Sequence, residues 1–199
     1  VVHAAVLAAG RSSRMAGPNK LLAEFDGVPL IRRVSAAAHG SRAERTHLVV
    51  GYQRDRIIRA IDGLEMDIVV NADFADGLST SLKAAARAVP EQVDGLLVVL
   101  GDMPGVTSQT LDRLITAFEQ SGGSAIVRAT HAGKRGNPVI LPRALFAEIE
   151  NIEGDTGARH LVESAVLQVV DIELGEAASL DLDTQDAVRQ AGGRIVEQA

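Results

Sequence analysis

The sequence lacks cysteine and tryptophan altogether, and aromatic residues make up only 3% of its 199 positions. The absence of cysteine excludes disulfide bonds, metal binding through thiolates and a cysteine nucleophile. The longest apolar stretches, such as 95–100, fall far short of the ~20 residues that a membrane-spanning helix needs. No charged leader precedes an apolar segment at the start of the sequence. We therefore expect no membrane segment, no export signal and a cytoplasmic protein.

An excess of positive charge is also lacking, since 20 lysines and arginines face 26 acidic residues and the formal net charge is −6. Proteins that bind nucleic acids usually carry a basic surface, so we expect no nucleic-acid partner. A small anionic substrate is compatible with this charge, because a few well-placed cations in a cleft outweigh a mildly acidic surface.

Short β-branched or leucine-rich runs alternate with stretches of helical periodicity along most of the chain. This alternation predicts an α/β fold of three layers with a mainly parallel sheet, in a single domain over 1–199. The pattern weakens after about Ser124, where glycines interrupt it and an α+β insertion is the other interpretation. The predicted strands are 2–7, 47–50, 67–70, 95–100, 124–128 and 166–171. The predicted helices are 29–38, 53–61, 79–88, 107–119, 143–150, 157–163 and 184–191.

The loop over 7–22, which follows the first predicted strand, is rich in small residues and cations. It does not match the dinucleotide fingerprint, because only Gly10 and Gly17 are available where three glycines are needed. It does not match the P-loop either, because Gly17 is separated from Lys20 and no hydroxyl residue follows the lysine. A phosphate-binding loop of another kind is therefore needed to explain the pattern.

Small residues at the end of a strand let backbone amides approach a ligand, and cations in the same loop stabilise a polyphosphate. The loop carries three cations, Arg11, Arg14 and Lys20. A solvated basic loop is the alternative, but we favour a nucleotide-binding loop. The predicted nucleotide-binding residues in it are Leu7, Ala8, Ala9, Gly10, Arg14 and Lys20.

Asp102 follows the buried strand predicted over 95–100. Ligands of open parallel sheets collect outside the carboxyl ends of the strands, so Asp102 is expected at the same edge as the loop. Magnesium is typically held by one or two carboxylates together with substrate phosphates, and Asp102 suits that role. The alternative is a simple turn formed with Gly101 and Pro104.

Three further segments are candidates, and each has an ordinary structural explanation as well. Gly77 allows a close backbone approach, and the hydroxyls of Ser79 and Ser81 suit either a nucleobase edge or a helix cap. Asp155 suits a helix N-terminus, and Arg159 an acceptor phosphate, although an ordinary capped helix explains both. The acidic residues over 181–186 lie at a strand-to-helix junction, where a cap also explains them.

Taken in order, these motifs resemble those of the molybdenum cofactor cytidylyltransferases. The resemblance is carried by Leu-Ala-Ala-Gly-x-Ser-x-Arg-Met over 7–15, by Pro-Asn-Lys-Leu-Leu over 18–22, by 77–81 and by Gly-Asp-Met-Pro over 101–104. Ala9, Asn19 and 77–81 are more similar to the cytidylyl than to the guanylyl branch. Ala16 departs from the usual glycine and Gln185 from the usual proline.

The resemblance implies a nucleotide-diphospho-sugar transferase fold, which is Rossmann-like, and an enzyme that depends on magnesium. It implies that CMP passes from CTP to the phosphate of molybdopterin or its molybdenum form, with release of pyrophosphate. Arg14, Lys20 and Asp102 would be catalytic, and Asp102 and Asp183 would bind Mg²⁺. Gly77 and Ser81 would recognise the pyrimidine, and Ser79 is a further nucleotide-binding candidate. Asn137, Asp155 and Arg159 would bind the acceptor on the pterin side.

Two alternatives stay open at this point. One is a related transferase that uses GTP or a sugar or alcohol phosphate acceptor. The other is a non-catalytic accessory protein that carries the cofactor to a molybdenum hydroxylase. Such a hydroxylase is also an expected partner if the protein is an enzyme.

Overall fold

The structure is a computed structural model that describes residues 1–11, 18–155, 158–164, 166–180 and 182–196. Seven strands form one sheet in the order β5-β4-β1-β6-β8-β7-β9. They are β1 (Val2–Ala8), β4 (Arg45–Val50), β5 (Asp67–Val70), β6 (Gly95–Leu100), β7 (Ile126–His131), β8 (Lys134–Pro142) and β9 (Val169–Glu173). A separate two-stranded hairpin is made of β2 (Glu24–Phe25) and β3 (Val28–Pro29).

The sheet is mainly parallel, as the sequence predicts. Strands β4 and β6 each pair in parallel with the central strand β1, β5 pairs in parallel with β4, and β7 pairs in parallel with β9. Only β8 runs the other way among these seven strands, since it pairs antiparallel with both β6 and β7. The carboxyl ends of β1, β4, β5 and β6 therefore share one edge of the sheet.

Helices pack on both faces of the sheet and complete three layers. They are α1 (Leu30–His39), α2 (Arg54–Ala60), α3 (Leu78–Ala88), α4 (Ser108–Gln120), α5 (Phe146–Ile149), α6 (Ala158–Ser164) and α7 (Gln185–Gln190). One core cluster joins one face of β1 to α1, α2 and α4, and a second joins the other face to α3, α5 and α6.

Alternation along β1 explains why it is central. Ala4, Val6 and Ala8 belong to the first core cluster, whereas Ala5 and Leu7 belong to the second. All seven residues of the strand are buried. A strand buried on both faces requires a nearly continuous apolar run, which is the pattern that identifies it in the sequence.

The expected weakening of the pattern after Ser124 corresponds to the antiparallel part of the sheet. Strand β8 has no counterpart among the predicted strands, and β7 and β9 each begin and end later than predicted. The segment predicted as a helix over 143–150 is divided into a 3-10 turn, Arg143–Leu145, and the four-residue α5. None of the helices in the described ranges is long and apolar enough to span a membrane, and the cytoplasmic location stays a prediction.

Candidate active site

Lys20, Asp102 and Asp183 meet at the carboxyl edge of the sheet although they are far apart in the sequence. The Lys20 ammonium donates to Asp102 Oδ2 at 2.6 Å and to Asp183 Oδ1 at 2.7 Å. Only 15% of the Lys20 and Asp102 side chains is exposed, against 37% for Asp183. Among the described residues two of the ammonium's three hydrogens are engaged, so one donor is available to a ligand.

Local hydrogen bonds explain how the three side chains reach one point. Lys20 opens a short 3-10 turn, and the side chain of buried Asn19 caps this turn by accepting from Leu21 N. Asp102 lies two residues beyond the end of β6, and its backbone carbonyl accepts from Leu182 N at 3.3 Å. That bond attaches the segment before α7 to the end of β6, which brings Asp183 beside Asp102.

The two carboxylates control the charge of Lys20. Burial by itself lowers the pKa of the Lys20 ammonium, but the negative charges of Asp102 and Asp183, together with their hydrogen bonds, outweigh it and raise the pKa. The lysine is therefore charged at neutral pH. Asp102 Oδ1 is buried and has no hydrogen-bond partner among the described residues. A buried carboxylate oxygen without a partner is unfavourable unless a cation or a donor reaches it.

A cavity of about 380 Å³ opens directly above this cluster. The predicted site residues that line it are Leu7, Ala9, Gly10, Lys20, Gly77, Ser81, Asp102 and Asp155. The sequence motifs of β1, β5 and β6 therefore converge on one space. Backbone amides of small residues on one side and Lys20 on another suit an anionic ligand.

Gly77 brings the wall of this cavity close to a distant segment. It has a φ of +104°, and a Cβ built on it would lie 2.4 Å from the carbonyl carbon of Gly154. Ser79 N also donates to Gly154 O at 3.0 Å. Only glycine allows both the backbone conformation and this approach. The N-terminus of α3 is thus packed against the segment that carries Asp155.

A second cavity of about 610 Å³ adjoins the first, and Leu7, Leu78, Leu100 and Asp155 line both. Its floor is apolar, with Leu82, Val98, Val139 and Val162 among its lining residues. Among the described residues, the cations that line it are Arg128, Lys134, Arg135 and Arg159, and the carboxylate that lines it is that of Asp155. A ligand with a flat ring, whose face would pack on the apolar floor, and an anionic group matches this lining.

The cations of the second cavity differ in how they are held. The Arg128 side chain, 11% exposed, donates from two nitrogens to the same oxygen of Asp171. Arg135 and Arg159 share one oxygen of Glu163, at 2.9 and 3.0 Å. The hydrogen bond from Arg159 and the nearby charges lower the pKa of Glu163. One carboxylate shared by two arginines leaves an excess of positive charge beside the cavity.

Not every predicted site residue lies at a cavity. Ala8 is buried in the sheet, and Ser79 is 1% exposed and lines neither cavity within the described ranges. Asn137 and Arg159 line the second cavity, and Asp155 lines both. Arg14 lies outside the described residues. The roles assigned to these residues stay predictions.

Phe74 and Arg128 are two lining residues that the motif analysis did not identify. Phe74 lines the first cavity, where the Arg11 guanidinium lies over its ring at 5.5 Å from the centroid. In a chain with so few aromatic residues, a phenylalanine just beyond a strand end was the available signal. For Arg128 the sequence offered one signal, a charged residue in a strand that is otherwise expected to be buried.

Comparison with known proteins identifies the family. Residues 4–170 match the family model described as MobA-like NTP transferase domain. The chain belongs to this family. Members of the family are nucleotidyltransferases, and the paired carboxylates and lysine beside the first cavity are consistent with that chemistry.

Individual relatives agree with the family. The molybdenum cofactor cytidylyltransferase of Escherichia coli K12 is 30% identical over 193 residues, which cover 96% of each chain. The bifunctional protein GlmU of Leifsonia xyli is 35% identical over 126 residues, 61% of this chain. The chain spans only 26% of the GlmU length, so that match concerns a part of a larger protein.

Solved structures confirm the nucleotide-diphospho-sugar transferase fold. The Mycobacterium sp. strain JC1 homologue of M. tuberculosis Rv0371c has a TM-score of 0.83 and 28% identity, covering 96% of this chain and 94% of its own. Rv0371c itself, in a complex with manganese, has a TM-score of 0.78 and 27% identity, covering 95% of this chain and 96% of its own.

Proposed function

We propose that this nucleotidyltransferase transfers CMP from CTP to the phosphate of molybdopterin or its molybdenum form, and releases pyrophosphate. The observation that carries the proposal is the Lys20, Asp102 and Asp183 cluster, which lies at the first of two adjoining cavities. The first cavity suits the nucleotide. The second suits a ring system that carries an anion. The E. coli relative, by its name a molybdenum cofactor cytidylyltransferase, supports this choice of substrates.

In the proposed reaction an oxygen of the acceptor phosphate forms a bond to the α-phosphorus of CTP. The bond between that phosphorus and the oxygen bridging to the β-phosphate breaks, and its electron pair leaves with pyrophosphate. Leu7 and Leu100 line both cavities, so the two substrates would meet above the ends of β1 and β6. No covalent intermediate with the protein is needed, and catalysis consists of positioning and charge stabilisation.

Each residue has a distinct task in this scheme. Lys20 uses its third hydrogen for a phosphate oxygen and keeps its two carboxylate contacts, which hold the ammonium in place. The backbone around Gly10 provides amides for the triphosphate. Arg128 anchors the anionic group of the acceptor, because within the described part of the chain one oxygen of Asp171 occupies two of its donors and the others are available.

Asp102 and Asp183 would hold Mg²⁺ together with phosphate oxygens. The unpartnered Asp102 Oδ1 fits this role, since a carboxylate oxygen is a ligand that magnesium prefers. The described residues contain no group of three or more His, Cys, Asp or Glu side chains placed to hold a metal. Two carboxylates plus substrate oxygens agree with the usual magnesium site. The manganese in the Rv0371c complex supports a divalent cation. Such an ion would neutralise charge on the leaving pyrophosphate.

Pyrophosphate release from CTP, with molybdopterin and Mg²⁺ present, tests the proposal. Lys20→Ala and Asp102→Asn should each lower turnover by about a hundredfold or more, because each removes charge stabilisation at the reacting phosphates. Lys83→Ala, a lysine of α3 that lines neither cavity, is the matched control and should keep its activity.

Near-normal turnover in either site variant would contradict the assignment. The same assay with GTP in place of CTP, or with a sugar phosphate as acceptor, distinguishes the related transferases. A protein that binds a molybdenum hydroxylase and releases no pyrophosphate from any of these pairs would be the accessory protein instead.

A further inference from the structure

The amide of Asn71 is oriented by the backbone around it. Asn71 follows β5 and is only 4% exposed. Its Oδ1 accepts from Asp73 N at 3.0 Å. A backbone N–H can only donate, so the amide oxygen must face Asp73 and the Nδ2 group must face the opposite way. The two hydrogens of Nδ2 are thereby directed at α3.

These hydrogens go to two hydroxyls at the start of α3. Asn71 Nδ2 donates to Thr80 Oγ1 at 2.8 Å and to Ser81 Oγ at 3.1 Å. The hydroxyl hydrogen of Thr80 is used within the protein, since the carbonyl oxygens of Asp73 and Gly77 lie 3.0 and 2.9 Å from Thr80 Oγ1. Thr80 is therefore satisfied as both donor and acceptor.

Ser81 differs from Thr80 in the one respect that matters for a ligand. Its oxygen accepts from Asn71, but its own hydrogen meets no protein acceptor within the described part of the chain. Ser81 also lines the first cavity, whereas Thr80 and Asn71 do not. With its acceptor side held by Asn71, the hydroxyl has its hydrogen available to a ligand in the cavity.

We propose that Asn71 is a positioning residue that holds the Ser81 hydroxyl as a hydrogen-bond donor towards the nucleobase. This inference rests on the proposed function. A fixed donor selects a base that presents an acceptor at that position. We place the hydrogen of Ser81 at N3, which is an acceptor in cytosine and carries a hydrogen in uracil, whereas O2 is an acceptor in both bases. The contact from Asn71 then favours CTP over UTP without touching either nucleotide.

The substitution Asn71→Asp reverses the polarity while it keeps the shape of the side chain. A carboxylate still accepts from Asp73 N, but it accepts from the Ser81 hydroxyl as well. The lone pairs of Ser81 Oγ then face the cavity and oppose an acceptor on the base. We expect the affinity for CTP to fall about tenfold or more and the ratio of CTP to UTP affinity to fall with it.

The experiment is titration calorimetry of CTP and UTP binding to the full chain with Mg²⁺ present. It compares the unaltered protein with Asn71→Asp, Ser81→Ala and the variant that carries both substitutions. Ser81→Ala by itself should weaken CTP binding. In the Asn71→Asp background it should restore part of the lost affinity, because it removes the misdirected hydroxyl. A merely structural role for Asn71 predicts no such recovery. Asn151→Asp, an exposed asparagine given the same charge change, should bind CTP within about twofold of the unaltered protein.

Affinity for CTP within twofold of the unaltered protein in Asn71→Asp would overturn the inference, as would independent effects of the two substitutions. Should Asn71→Asp fail to fold, Asn71→Ala replaces it. The variant that carries both Asn71→Ala and Ser81→Ala should then bind CTP no more weakly than the weaker of the two single variants. Losses of CTP binding free energy that add in the double variant would overturn the inference. An unaltered protein that prefers GTP would refute the proposed function instead, and the coupling between the two positions would then be judged with that nucleotide.

Discussion

Gly77→Ala is the substitution whose effect can be worked out most completely from the structure. Gly77 has φ +104° and ψ 178°, a region of backbone conformation that is essentially restricted to glycine. An alanine there costs about 1–3 kcal/mol in backbone strain. Its Cβ would lie 2.4 Å from the carbon and oxygen of Gly154 and 2.8 Å from Asp155 N. These are backbone atoms, so relieving the clash displaces the segment rather than a flexible side chain.

Crowding of this kind costs a further ~1–3 kcal/mol, against which alanine gains up to ~1 kcal/mol by restricting the unfolded chain. We therefore expect Gly77→Ala to lower the free energy of unfolding by about 1–6 kcal/mol, with a middle value of about 3 kcal/mol. At this middle value the melting temperature should fall by about 6–12 °C for a chain of this size. The shift of Asp155 should also weaken nucleotide binding, because Asp155 lines both cavities.

Gly63→Ala is the matched control. Gly63 also has a positive φ, +83°, but a Cβ there would meet nothing within 4 Å. Its net cost should be about 1 kcal/mol or less. Urea unfolding followed by circular dichroism suits both variants, since the protein has no tryptophan to report by fluorescence. Free energies of unfolding that agree within 1 kcal/mol would refute the steric argument.

Two other predictions concern a histidine pair towards the amino ends of β1 and β4, and the second cavity. Burial lowers the pKa of both His3 and His47, which face each other at 3.0 Å between Nδ1 and Nε2. The unfolded chain therefore binds more protons below pH ~6.5, and stability should fall as pH decreases from there, by about 1.4 kcal/mol per pKa unit of lowering. The urea midpoints of unfolding at pH 7.5 and 5.5 measure this fall. If the midpoint of His47→Gln fell between these pH values as much as that of the unaltered protein, the prediction would be contradicted. Gly136→Ala places a Cβ 1.9 Å from Ala178 O and should weaken binding of the acceptor, because Gly136 lines the second cavity. Gly192→Ala, at a glycine that lines neither cavity and has nothing within 4 Å of its Cβ, should not; equal acceptor affinities would disprove this.

The sequence was sufficient for the parts of the fold that depend on local patterns. The strands 67–70 and 95–100 have the predicted bounds, because continuous apolar runs between polar turns leave little choice. Helix α4 follows directly after Thr107, whose side chain accepts from Thr110 N and forms a capping box. The family could also be recognised, because its motifs recur in order along the chain.

The sequence was not sufficient where long-range contacts override local preference. Strand β8 contains Gly136 and Pro138, residues that argue against a strand by themselves. Its pairing with β6 and β7 on either side stabilises it nonetheless. No local signal distinguishes such a strand from a loop.

For the candidate site the division is similar. The sequence alone determined the chemical inventory, a small-residue loop with Lys20 and acids at 102 and 183, and the edge of the sheet at which parallel strands deliver them. The tertiary structure decided that one ammonium bridges both carboxylates and that Asn71 holds Ser81. It also decided that Arg128 lines a second cavity beside the first. These contacts join residues from different elements, and their distances depend on how helices and strands pack, which no local pattern encodes.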